Sequence, residues 1–406
     1  MRLPVPPTDD SAIRAWVDDQ LGDLTTPPPR ASDPPARGGQ TAADAALQSF
    51  DVTGYARRRN EVWPPQRRGA SRLSPYIRHG LLSLREVWDH VAGGPPPDVA
   101  KFRDELRWQE YARHLYARVG VASSESLRYN VIEHTEPAPE QWSSEARCLD
   151  LCWSELAAGW LTNQSRMWLA SHWTVRQGWG WRDGEELMFR HLLDGSRAAN
   201  RLGWQWTVGA LTGKAYGFSR WQVEKRAPGL CASCPLERRC PIARWPATQD
   251  PERRNTTHSR LRHDNHPDIT GGPATPRHTA EPEAVWMTAE SLSDRDPAVA
   301  AHPGLPVVFV FDEPLLRRLR LSQNRLVFLA QSLADLATRR EVQVHRGDPV
   351  QVLYDMALAT TFAPVPGWRR RASRLDVGAL YPWPWLERPR SGSVGSFTAW
   401  AKARRS

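Results

Sequence analysis

Long apolar runs are missing from this chain. No stretch approaches the roughly 20 residues a membrane helix requires, and mean hydropathy is −0.58. A membrane span is therefore not expected. The opening residues, MRLPVPPTDD, lack the apolar centre of a secretory signal, so the chain reads as cytoplasmic. Cysteine is scarce, with five in 406 residues. In a reduced compartment these are not expected to form a disulfide framework. Acidic residues fall short of basic ones, 45 against 54, for a net charge of +9. That balance favours a polyanionic partner, although a generally basic chain without a specific partner would look the same. Alternating apolar and polar residues, the mark of a half-buried strand, do not occur over any length before residue 280.

Tryptophan, by contrast, is abundant: 20 residues, against nine Phe and eight Tyr. Seven lie between Gly159 and Trp206, at positions 160, 168, 173, 179, 181, 204 and 206. Among them sit a few polar residues, Asn163, Arg166, Asp194 and Asn200. A buried indole needs a partner for its N–H. Many indoles around few polar groups suit a site for a large aromatic cofactor or a route for electrons. A Trp-rich helical core is the plainer reading.

The chain is long enough for two domains. Residues 1–40, rich in Pro, Asp and Gly, read as a flexible lead-in. Residues 41–245 are patterned as helices throughout. In KFRDELRWQEYARHLYARV, for example, Phe102, Leu106, Tyr111 and Leu115 fall near one face. Residues 246–283 are polar, carry His and Pro, and read as a linker. From 284 to 406 the pattern alternates. AVWMT and PVVFVF are short strands, LSQNRLVFLAQSLADLATRR is an amphipathic helix, and EVQVH is another strand. Strand–helix alternation predicts a parallel α/β layer. The expected fold is multidomain, an all-α domain followed by a reduced, Rossmann-like α/β domain.

The motifs GWLTNQSRM and LLDGSRAANRLGWQW closely resemble the flavin-binding core of the photolyase/cryptochrome family. VVFVFDEPLL and the segments after it resemble that family's α/β domain, which normally precedes the helical one. Together these resemblances imply a circular permutation. They also imply FAD as cofactor, with Tyr55, Ser71, Arg72, Leu73 and Ser74 at its diphosphate. Hydroxyl residues entering a helix can donate to an anion, and SRLS alone would be an ordinary helix cap. Arg166 and Asp194 would pair near the ring system, with Asn163, Ser196 and Asn200 beside them. Ser196 departs from the family, which usually has Asp there. An antenna chromophore is a family feature whose identity here is open.

The resemblance also implies an electron route through Trp204 and Trp181, with Tyr129 and Trp142 as candidates for an outer member. In the DNA-repairing relatives a pyrimidine dimer is flipped into a cavity over the flavin; flipping is needed because the lesion lies within the stacked duplex. The matching residues are Arg59, Glu105, Trp108, Asn163, Gln164, Met167 and Trp206. Trp108 and Trp206 would offer aromatic walls. Glu105 would bond a ring edge, and Met167 would fill space. Gln164 stands where the family often has Arg. UV-damaged DNA is thus the implied partner. Arg57, Arg58, Arg59, Arg67 and Arg68 would supply phosphate contacts, unless they are only a solvated face.

Cys231, Cys234 and Cys240 form C-x2-C-x5-C. Four thiolates suit a [4Fe–4S] cluster, and Cys148 or Cys152 could supply the fourth. Some bacterial members of the family carry such a cluster, and alignment with them favours Cys148. Zinc is also compatible with four thiolates, and unligated buried thiols remain open. The implied activity is a light-driven lyase acting on cyclobutane dimers, with Glu105, Asn200, Trp204 and Trp181 as its catalytic residues. The alternatives are a blue-light receptor without repair and a cluster-bearing DNA-binding protein without photochemistry. The protein is read as a monomer.

Overall fold

The structure is a computed structural model that describes residues 1–27, 33–131, 143–247, 251–254 and 257–402. Its strands are β1 (Arg2–Leu3), β2 (Tyr129–Asn130), β3 (Glu252–Arg253), β4 (Arg277–His278), β5 (Ala284–Met287), β6 (Val307–Asp312), β7 (Val342–Gly347), β8 (Leu358–Thr361) and β9 (Val377–Tyr381). Seven of them form one sheet in the order β1-β7-β6-β5-β8-β9-β4. The inner five are parallel, and β1 and β4 close the edges antiparallel. Strands β5 and β6 are apolar along almost their whole length because both faces are covered. From β5 the chain adds strands on one side, then crosses back to add β8 and β9 on the other. That reversal leaves a crevice at the carboxyl ends of the central strands.

The remaining residues are mostly helical. The long helix Pro96–Val119 starts with Pro at its first position, where no N–H is needed, and ends at Gly120, φ +64°. The helix Leu84–His90 opens with a capping box between Ser83 and Glu86. Strands β2 and β3 pair in a two-residue ladder beside the helices, so the expectation of a purely α half is not met in full.

Three segments depart from the sequence reading. The first is the expected lead-in. Strand β1 pairs with β7, Leu3 opposite Val344. Asp9 caps the helix Asp10–Leu21, whose Ile13, Val17 and Leu21 are fully buried. This helix packs on Gln323–Ala337, so it belongs to the α/β layer. The second is the expected linker at 246–283. Here Asp264, 2 % exposed, pairs with the buried Arg118 of the long helix at 3.3 Å, and β4 joins the sheet. The third is the end of the presumed α/β domain. Beyond β9 the chain turns back onto the long helix. Tyr111 Oη donates to the Val394 carbonyl at 2.9 Å, and the Glu387 carbonyl faces His114 Nε2 at 2.7 Å. The second and third segments are held by polar partners distant in sequence, which leave no periodic trace. The first packs through Ile13, Val17 and Leu21, spaced four apart, a helical period that the Pro- and Asp-rich composition around it obscured.

The helical and α/β halves share one core, which runs from Ile13 and Phe328 to Phe102 and Phe189. Their boundary clamps the loop that carries Asp194. Arg325, 4 % exposed, donates to the carbonyls of Phe189 and Gly195 and lies over the Phe189 ring at 4.9 Å. Arg78 grips Glu290 with two bonds of 2.6 and 2.8 Å and donates to Gly195 at 2.9 Å. His79 lies between the carbonyls of Ala289 and Leu193. An Arg325→Met variant leaves the buried Phe189 carbonyl without its donor, while Gly195 keeps Arg78. It is expected to lose roughly 1–3 kcal/mol of stability in urea titration, the cost of one unsatisfied buried group. A loss below about 1 kcal/mol would show that the loop is held by other contacts.

Candidate functional site

A cavity of about 1020 Å³ lies within the helical half and reaches the carboxyl ends of β5 and β6. It is lined by Tyr55, Arg59, Ser71, Arg72, Ser74, Glu105, Trp108, Asn163, Arg166, Met167, Asp194, Ser196, Asn200, Trp204 and Trp206. Most of the residues singled out in the sequence are thus neighbours in space. Three are not part of the lining. Leu73 is fully buried in the core and anchors the Ser71–Ser74 turn from behind. Gln164 donates to Tyr216 Oη at 3.1 Å. Trp181 is buried in the tryptophan core. Of the candidates for an outer electron-route residue, Tyr129 sits in β2 and Trp142 lies outside the described residues.

Two short helices and the loop before one of them build the polar end of the cavity. Thr162 caps the helix Asn163–Ser171. Ser196 caps Arg197–Thr207 by accepting from the Ala198 N–H, so the hydroxyl that replaces a second carboxylate has a local structural role. Arg166 Nη2 and Asp194 Oδ2 pair at 2.7 Å. Asp194 Oδ1 is buried and has no hydrogen-bond partner. A buried carboxylate oxygen without a donor is costly, and the Arg166 guanidinium supplies the charge that offsets it. Asn200 Nδ2 donates to the backbone carbonyl and the carboxylate of Glu185, at 2.8 and 3.2 Å. With the amide nitrogen so engaged, the carbonyl oxygen is directed away from Glu185.

The opposite wall turns through Arg72, which has φ +57°. A left-handed conformation at a non-glycine residue carries strain and often marks a functional turn. Arg72 lies 5.5 Å from the Trp160 ring, and Trp160 Nε1 donates to Ser74 Oγ. Glu105 faces two cations, Arg59 Nε at 3.4 Å and Lys101 Nζ at 3.0 Å. Asn163 Nδ2 contacts Met167 Sδ at 3.6 Å. Trp204 meets Trp173 edge to face at 6.5 Å between centroids, and Trp173 meets Trp179 at 5.0 Å and Trp153 at 6.2 Å. The aromatic contacts that leave Trp204 therefore run through Trp173.

Several lining residues escaped the sequence reading. Arg78, Arg113 and Arg197 reach the cavity. Arg197 pairs with Glu185 and stacks over Phe189 at 3.8 Å. Its signal was the four-residue spacing of Arg197 and Arg201 beside Asn200, one face of one helix. The basic run at 57–68 is divided. Arg67 is exposed, whereas Arg68 is buried against Glu155 and donates to the Val62 carbonyl at 2.7 Å. Arg68 is therefore not available to a phosphate.

A second, smaller apolar cavity is lined by Cys148, Cys231, Cys234 and Cys240, with Leu230, Leu236 and Ile242. None of the cysteines is in a disulfide. Burial, then the neighbouring sulfurs, pushes the Cys148 thiol up to about 12. Burial likewise raises Cys231 to about 11. Cys152, one helical turn beyond Cys148, is fully buried and is not among the residues lining this cavity. Among the described residues, no group of three or more His, Cys, Asp or Glu is placed to hold a metal ion. No described helix is long and apolar enough to cross a membrane.

No protein-family model matches the chain. Among curated proteins, the deoxyribodipyrimidine photo-lyase of Synechococcus sp. is 30 % identical over 193 residues, 43 % of this chain and 39 % of that protein. A photo-lyase of Thermus thermophilus is 33 % identical over 184 residues, 42 % and 43 % of the two chains. Among solved structures, a class III photolyase from Agrobacterium tumefaciens is 26 % identical over 42 % of this chain and 38 % of its own, with a TM-score of 0.39. A cryptochrome from Synechocystis is 22 % identical over 50 % and 48 %, with a TM-score of 0.42. The chain spans about two fifths of the length of the curated relatives it matches. At that coverage, the comparisons show that about two fifths of the chain is similar to named photo-lyases.

Proposed function

We propose that this chain is a light-driven, FAD-dependent DNA photolyase that splits cyclobutane pyrimidine dimers. The observation that carries the reading is the pairing of Asp194 with Arg166 at 2.7 Å on the wall of a cavity that Asn200 shares and that Trp108 and Trp206 line. The donor set suits a folded dinucleotide. Hydroxyls and backbone N–H groups of the Ser71–Ser74 turn would take the diphosphate, Asp194 would accept from the ring system, and the Asn200 carbonyl would accept from a ring N–H. Bound there, the flavin would supply under blue light the electron that opens the cyclobutane ring, and would regain it afterwards. The chain's own residues would do the positioning. Trp108 and Trp206 would stack on the flipped bases, Asn163 and Glu105 would bond their polar edges, and Met167 would close the remaining space. Arg59 would restrain the backbone at the rim.

In this reading the chain is circularly permuted, since the helical half precedes the five-stranded parallel core. We assign Cys148, Cys231, Cys234 and Cys240 to a [4Fe–4S] cluster that pins the end of the helical half. Four cysteines line one small apolar cavity, and four thiolates are the ligand set of a cubane, although zinc accepts the same set. A blue-light receptor on the same scaffold is the second reading, favoured by Gln164, whose amide is engaged with Tyr216 and absent from the cavity lining.

Illumination of a dimer-containing oligonucleotide with the purified protein tests the two readings. Light-dependent loss of the dimer is expected. Glu105→Ala is expected to slow it roughly 10- to 100-fold, the worth of one hydrogen bond to a charged group. Unchanged dimer content in a preparation with full flavin content would establish the receptor instead.

A further inference from the structure

We infer that Phe397, from the C-terminal segment, is a positioning residue that sets the aromatic wall of the lesion pocket by stacking on Trp108. The inference rests on the repair reading above. Trp108 is 38 % exposed at the rim of the large cavity. Its ring lies parallel to that of Phe397, centroids 4.0 Å apart and planes 10° from parallel. Phe397 is not among the residues lining the cavity, so it backs the indole and leaves the cavity side open. Tyr111 closes the same corner edge-on, 5.7 Å from Trp108 and 5.9 Å from Phe397.

Phe397 is itself held firmly. It opens the short helix Phe397–Lys402. Trp400, 8 % exposed, donates from Nε1 to His114 Nδ1 at 2.9 Å. Arg107 lies 5.9 Å from the Phe397 ring and 5.4 Å from the Trp400 ring, and pairs with Glu387 at 3.1 Å. Both ends of the contact thus stand on the long helix that carries Glu105. An unsupported indole at a cavity mouth samples several rotamers and must be ordered when a base stacks on it. A ring fixed in advance avoids that loss, and the gain appears in affinity.

The test uses the full chain with its flavin and a single-stranded oligonucleotide carrying one cyclobutane dimer. Phe397→Ala is expected to raise KM about fivefold, the fold-change typical of an aromatic pair. Flavin content and kcat are expected to stay as in wild type. Phe397→Tyr should restore KM, whereas Phe397→Leu, which fills space without a ring to stack, should not. In a Trp108→Ala background, Phe397→Ala should have no further effect. Equal rescue by Leu and Tyr, or an unchanged KM in Phe397→Ala, overturns the inference and leaves the repair reading standing. Tighter binding by Phe397→Ala also overturns it, because Phe397 would then compete with the base. A wild-type protein that neither binds nor repairs the dimer overturns both.

Discussion

Asp194→Ala should purify almost without flavin. The side chain of Asp194 is 6 % exposed and pairs with Arg166, and its second oxygen has no partner in the chain. Removing the carboxylate deletes an acceptor from the proposed ring system and leaves the Arg166 guanidinium without its counter-charge. One hydrogen bond to a charged group contributes about 1.5–3 kcal/mol, or roughly 10- to 150-fold in affinity. The absorbance near 450 nm, relative to protein, should fall below about a tenth of the wild-type value. Asp194→Asn keeps one acceptor oxygen and should retain an intermediate amount. Normal flavin content in Asp194→Ala would place the dinucleotide elsewhere, and the photochemical account would lose its footing.

The second large effect separates two cysteines on one helix. Cys148→Ala should strip the protein of iron, whereas Cys152→Ala should leave about four irons and four sulfides per chain, the content of a cubane held by four thiolates. The reason is geometric. Cys148 lines the small cavity with Cys231, Cys234 and Cys240, while Cys152 is not among its lining residues. Apart from Leu230 and Ile242, the segment from Gly229 to Trp245 has few fully buried side chains. With the proposed cluster bound, metal-binding energy would serve as folding energy for this segment. Thermal unfolding of Cys148→Ala should begin earlier, and limited proteolysis should cut first near Cys231. One zinc per chain, or the same metal loss in both variants, would refute the assignment.

The helical site was legible because its chemistry is local. Asn163 and Met167, or Asn200 and Trp204, are four residues apart on one helix, and a helix brings such pairs to one face whatever surrounds it. The central strands were legible for a related reason: AVWM and VVFVFD are apolar at consecutive positions, as strands covered on both faces must be. The burial of the Leu73 side chain was not legible because SRLS reads as one unit, and only the turn at Arg72 sends that leucine into the core. Arg68 was misplaced because its neighbours are exposed, and only the approach of Glu155 shows where its charge is neutralised.

Other features depend on contacts across hundreds of residues. The N-terminal 27 residues join the sheet because Arg346 pairs with Asp23 and β1 lies along β7. The C-terminal segment covers the long helix because Trp400 finds His114. The C-terminal contact leaves no pattern in composition or period, and the four-residue spacing of Ile13, Val17 and Leu21 marks a helix without saying what it packs on.

By itself the sequence determined the helices, the apolar strands, the spacing of the cysteines and the residue types that could serve a flavin and a nucleobase. The helices and strands follow from short-range geometry and from the aversion of apolar side chains to water, and the flavin and nucleobase residues from the family resemblance of their motifs. Tertiary structure alone decided which arginine stays in solvent and which ring stands behind Trp108, and it set Cys148, the cysteine the family resemblance favoured, beside the other three. Those outcomes depend on where separate segments meet, and the energy of a polar or aromatic contact exists only once both partners are in place.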